Sequence, residues 1–184
     1  MLCPACEGSY KKIKLDEHLL GKSCIVCEGV SFTLSDYLYY LSHSRPVEEE
    51  PVSGTDNVIM LADTKKAMVC HCGHVVSKFS ISHETDRRID YCSACQTVYL
   101  DKGEWEYLKS VQLRNKINSL FTDSCQRQIK LDGTRQVLTN NYKEKLGAIN
   151  YDHMTKVRDW IYNSPDKDLI LSFLNAKDPY SVLR

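Results

Sequence analysis

Apolar and polar positions along this chain recur in two registers, and the register changes near residue 104. Val30 and Phe32 begin an apolar stretch that leads to an acidic residue, Asp36, and then to the run "YLYYL" at residues 37–41. Val98 and Leu100 repeat the arrangement, followed by Glu104 and then Trp105, Tyr107 and Leu108. Each stretch predicts a short strand feeding a short helix whose first turn is acidic. Beyond them the spacing is helical. Leu113, Ile117, Leu120 and Phe121 recur at intervals of three and four, as do Leu138, Tyr142 and Leu146, with Gly147 placed as a C-cap. Asp152 predicts the cap of a helix that buries Val157, Trp160 and Ile161. In "NSPDKDLILSFLN" Ser164 reads as N-cap, Pro165 as the first helical residue, and Asp166 and Asp168 as first-turn acids. Leu169, Ile170, Phe173 and Leu174 supply that helix with its apolar face.

The two strand-and-helix units belong to a longer internal repeat. Residues 1–41 run "CPAC", 17 residues, "CIVC", then "EGVSFTLSDYLYYL"; residues 70–108 run "CHC", 19 residues, "CSAC", then "QTVYLDKGEWEYL". Val30 corresponds to Val98, Phe32 to Leu100, Asp36 to Glu104 and Tyr37 to Trp105. Between the copies, "SRPVEEEPVSGTDN" (44–57) reads as a solvated linker, and "VIMLAD" (58–63) as a strand or short buried segment.

Eight of the nine cysteines form tight pairs: Cys3/Cys6, Cys24/Cys27, Cys70/Cys72 and Cys92/Cys95, with Cys125 alone. "MLCPAC" opens the chain without a signal pattern, so a reducing, cytoplasmic setting is expected, where paired cysteines bind metal. No apolar run approaches the roughly 20 residues of a membrane span. A C-x2-C turn directs both sulfurs at one ion, and two such turns complete a tetrahedron at about 2.3 Å. The spacing C-x2-C-x17-C-x2-C of the first copy is that of a structural zinc site. Rubredoxin-like iron would use the same ligands.

The turn "MVCHCGHVV" (68–76) departs from this rule, because its cysteines are one residue apart. Alternate residues of an extended chain share a face, so Cys70 and Cys72 can reach one ion together while His71 faces away. Gly73 can then take the positive φ that folds the chain back. Alternatively His74 replaces one thiolate, giving three cysteines and one histidine. The expected ligands are Cys3, Cys6, Cys24 and Cys27 at one site and Cys70, Cys72, Cys92 and Cys95 at the other, for two Zn2+ ions per chain.

Residues 92–108, "CSACQTVYLDKGEWEYL", resemble the second half of the bacterial zinc-ribbon family named for its similarity to the zinc finger of transcription factor IIB. That family runs CPxC, a linker, then CxxCgGvWLDrGEle. Cys92, Cys95, Val98, Leu100, Asp101, Gly103 and Glu104 match, Tyr99 stands where Trp is usual, and Thr97 replaces Gly. "CPAC" at 3–6 matches the opening, and Cys24, Cys27, Gly29 and Val30 the second turn; Ser31, Thr33 and Ser35 then replace the WLD-G residues. The resemblance implies zinc binding by a β-hairpin ribbon and implies no reaction. Asp101 is expected to cap the following helix, with Glu104 in its first turn. The expected fold class is α+β: zinc ribbon 1 (1–44), a linker (45–66), zinc ribbon 2 (67–110) and a helical region (111–184).

Charge narrows the functions. Lysines and arginines number 24, as do aspartates and glutamates. An ion held by four thiolates adds about −2, which argues against nucleic acid as main partner. Segment 109–135 nevertheless carries Lys109, Arg114, Lys116, Arg127, Lys130 and Arg135 against Asp123 and Asp132. A nucleic-acid-binding, transcription-related factor is therefore the alternative to a non-enzymatic protein-interaction module. No Gly-rich phosphate loop, Ser/His/Asp set or HExxH motif occurs. Cys125 is expected to be a partly buried thiol.

Overall fold

A computed structural model describes residues 2–44 and 66–180. The linker expected at 45–66 lies, apart from residue 66, outside the described residues, as does the element expected at 58–63. The fold is α+β, with two four-cysteine clusters in its N-terminal half. Strands β1 (Tyr10–Asp16), β2 (Leu19–Cys24) and β3 (Val30–Thr33) precede helix α1 (Leu34–His43). Strands β4 (Ser77–Ser80), β5 (Arg88–Cys92) and β6 (Thr97–Leu100) precede α2 (Glu104–Ser110) and α3 (Ile117–Leu120). Helices α4 (Asp123–Leu146), α5 (Ala148–Tyr162) and α6 (Lys167–Asn175) follow.

The six strands among the described residues belong to one antiparallel sheet ordered β1-β2-β3-β6-β5-β4. The two halves meet at β3 and β6, where Val30 pairs with Leu100, Ser31 with Tyr99, Phe32 with Val98 and Thr33 with Thr97. Each half ends in the four-residue strand expected after its second cysteine pair, and each strand closes what would otherwise be the other's open edge.

Alternation along β3 sends Phe32 to one face and Ser31 and Thr33 to the other. On the Phe32 side lies the main core, joined by Leu19, Tyr37, Tyr40, Ile89, Val98, Trp105, Leu108 and Ile117. Phe32 meets Trp105 edge-on at 6.0 Å, and Tyr40 meets the same indole at 6.4 Å, so aromatics from both halves share one core. Tyr37 fastens α1 to the segment after α2: its hydroxyl donates to Arg114 O (2.7 Å) and accepts from Ile117 N (3.1 Å). Cys125 packs partly buried against this core.

Helix α1 begins at Thr33, whose hydroxyl accepts from Asp36 N. Helix α2 begins differently from expectation. Gly103, at φ +80°, is its N-cap, and Glu104 reaches back to accept from Asp101 N at 2.8 Å. The first-turn glutamate supplies the hydrogen bond there.

By packing, the chain divides into Met1–Gly133 and Thr134–Arg184. In the second unit the helices form but their apolar faces are not covered as the periodicity predicts. Ile161 is buried, whereas Val157 and Trp160 are exposed, the indole at 62%. Leu169, Phe173 and Leu174 of α6 are exposed as well. Helix α5 starts at Ala148, directly after Gly147 (φ +80°), so Asp152 sits inside it. Helix α6 starts at Lys167, and Ser164 bonds Asp166 N in the turn before it.

Candidate metal centres

The first centre is built from two turns of the same design. Cys3 N donates to Gly8 O and Glu7 N to Cys3 O; in register, Cys24 N donates to Gly29 O and Glu28 N to Cys24 O. Each turn needs a left-handed residue four positions after its first cysteine, and Glu7 (φ 61°) and Glu28 (φ 58°) fill that place. Gln96 (φ 55°) does so after Cys92. Gly8 admits no side chain, since a Cβ there would lie 2.7 Å from Cys24 Sγ.

"CHCG" is this turn with one residue removed. Cys70 N donates to His74 O, one residue sooner than its counterparts, and Gly73 N donates to Cys70 O. The left-handed residue also comes one place sooner and is Gly73, at φ +85°. Glycine takes that conformation without the steric cost carried by Glu7, Glu28 and Gln96.

Cys3, Cys6, Cys24 and Cys27 have sulfurs within 4.8 Å of one another, and so do Cys70, Cys72, Cys92 and Cys95. All eight are free thiols. The Cys3–Cys27 and Cys6–Cys24 separations are 3.7 and 3.4 Å, and those of Cys70–Cys95 and Cys72–Cys92 are 3.4 and 3.5 Å. A tetrahedron with metal–sulfur bonds of about 2.3 Å has sulfurs about 3.8 Å apart, so either cluster fits one ion after a small expansion. Both groups can hold a metal, and each supplies a full set of four ligands.

No family model, no curated protein and no solved structure matches this chain. What the centres can do rests on their own chemistry. His74 lies outside the second group of four sulfurs, with Nδ1 3.5 Å from Cys72 Sγ and 3.3 Å from Cys72 O. His71 sits against the opposite ligand, its Nδ1 3.4 Å from Cys70 Sγ and 3.1 Å from the Tyr99 hydroxyl. Sequence reasoning had no reason to place Tyr99 here; its hydroxyl is 3.1 Å from Cys70 Sγ.

The thiols of each centre differ in acidity. Burial opposes ionisation of Cys24 and Cys95, yet hydrogen bonds outweigh it and hold both at about 7. For Cys24 the donors include the Cys27 and Val26 amides; for Cys95 they include the Thr97 hydroxyl at 3.2 Å. Burial raises Cys27, and pushes Cys70 up to about 12.

A cleft of about 540 Å³ opens beside the second centre, with Lys12, Lys14, Lys22, Leu20, His71 and Cys95 among its walls. No described helix is long and apolar enough to cross a membrane.

Proposed function

We propose that this chain is a zinc protein in which two structural ribbons, residues 1–44 and 67–110, brace one sheet for contact with a partner protein. One observation carries the reading: among the described residues each centre brings four sulfurs, within 4.8 Å of one another, from two tight turns. Such a site is closed. It leaves no coordination position for water or substrate, so its ion holds structure and performs no hydrolysis. On this reading the chain is a cytoplasmic, non-enzymatic member of the zinc-ribbon family that residues 92–108 resemble.

The ribbons are a repeated pair related by a local two-fold axis. Support comes from the ladder, where Ser31 faces its own counterpart Tyr99, and Val30 and Phe32 pair crosswise with Leu100 and Val98. Support for a protein partner comes from the second unit, where Leu138, Tyr142, Ile149, Trp160 and Phe173 are exposed on helices. The alternative, nucleic acid at 109–135, is weakened by the engagement of its cations. Arg114 lies 3.5 Å from Asp16, and Lys109 lies 3.9 Å from Asp16 and over the Trp105 ring.

Titration of the zinc-loaded chain with single-stranded and duplex oligonucleotides at low salt tests the choice. No binding is expected. Binding that falls steeply with salt, and is reduced by Lys116→Glu and Arg127→Glu, would favour the alternative.

A further inference from the structure

The shortened turn places His71 between two ligands, and the buried face of β6 brings Tyr99 beneath it. Three polar atoms meet there: Cys70 Sγ, Tyr99 Oη and His71 Nδ1, at mutual separations of 3.1, 3.1 and 3.4 Å. Tyr99 is buried. Its hydroxyl has one proton to give and lone pairs to offer. A metal-bound thiolate has no proton, so beside it the hydroxyl donates to sulfur. The oxygen is then left as acceptor for His71, which assigns the histidine its proton at Nδ1.

We propose that Tyr99 is the positioning residue of the second centre: its hydroxyl, oriented by His71, fixes the Cys70 thiolate and sets how firmly that centre keeps its ion. This rests on the zinc reading above. A hydrogen bond to a ligand sulfur draws charge from it, lowers its nucleophilicity and restricts its rotation. Outer partners of this kind are worth about 10- to 100-fold in metal affinity. In the first centre Tyr10, of the edge strand β1, lies beside Cys3.

The test uses the full chain loaded with zinc, in four forms: wild type, Tyr99→Phe, His71→Phe and Tyr10→Phe. At the two tyrosines phenylalanine keeps the ring and removes the hydroxyl alone; at His71 it keeps an aromatic ring and removes both ring nitrogens. Two readouts are taken, zinc release to a chromogenic chelator and alkylation of each cysteine resolved by peptide mass spectrometry. Tyr99→Phe should release one of two zinc ions about 10- to 100-fold more readily, with Cys70 the first thiol to gain reactivity and the first centre unchanged. His71→Phe should act in the same direction and less, and Tyr10→Phe should act at Cys3.

Unchanged release in Tyr99→Phe, from a wild type holding two zinc ions, refutes the role of the tyrosine alone. Fewer than two ions in the wild type refutes the zinc reading itself. If Cys70, Cys72, Cys92 and Cys95 all gain reactivity together as β5 and β6 lose hydrogen-exchange protection, the hydroxyl serves packing only, and the proposal fails.

Discussion

One oxygen atom tests whether the two halves form a single unit. Tyr37 Oη bridges Arg114 O and Ile117 N, tying α1 of the first half to the chain that leaves the second. The tyrosine and Ile117 are both fully buried, so water cannot replace the hydroxyl without reopening the core. Tyr37→Phe leaves the ring packed against Phe32 and Tyr40 and orphans one donor and one acceptor. Each orphan costs about 1–3 kcal/mol, and with partial relaxation at Arg114 the sum is about 2–4 kcal/mol. For a unit of this size about 1 kcal/mol corresponds to about 4 °C, so the melting temperature should fall by about 8–16 °C. Tyr40→Phe is the comparison: its hydroxyl meets Asn115 Oδ1 at 3.3 Å, on an exposed side chain, and its loss should cost about 1 kcal/mol or less. Denaturant and thermal melts of the three proteins at fixed zinc supply the numbers. Equal losses for the two tyrosines, or a Tyr37→Phe change under about 1 kcal/mol, would refute a buried bridge between the halves.

Other consequences are equally accessible. Cys24→Ser should remove one of two metal ions and, because β3 and β6 are paired, reduce hydrogen-exchange protection in β5 and β6 as well as in β1 and β2; full protection of β5 and β6 would contradict the shared sheet. In the metal-free protein at neutral pH, alkylation should label Cys95 before Cys70, because a thiol near 7 carries more thiolate than one raised to about 12 and Cys95 is also the less buried; peptide mapping reads the order, and Cys70 labelled first would contradict it. Trp160→Ala should change stability by no more than about 0.5 kcal/mol in a denaturant melt, as for other exposed positions, and a loss of several kcal/mol would show that the indole is covered in solution.

The cysteine framework is plain in the sequence because its chemistry is local. Four pairs in two copies give both clusters, and the alternation after each second pair gives β3 and β6. What joins those strands is not legible, since two four-residue strands carry no mark naming their neighbour. The role of Tyr99 escapes for a similar reason: a tyrosine in place of the usual tryptophan reads as one aromatic for another until its hydroxyl is seen at Cys70. In the second unit, periodicity correctly identifies helices but not their cover. It marks an apolar face on α5 through Val157, Trp160 and Ile161, while what lies against that face depends on the rest of the molecule. The caps show the same limit, because a helix started by Gly103 or Gly147 needs no side-chain signal of the kind Asp101 or Asp152 offered.

The central claim, two closed zinc–thiolate centres per chain, is tested most directly by metal stoichiometry. Elemental mass spectrometry of protein purified without added metal should find two zinc ions per chain. One should be lost in Cys70→Ser and none in His74→Ala, as expected if four sulfurs complete the second centre. A single zinc in the wild type, iron in its place, or loss of an ion in His74→Ala would contradict the account.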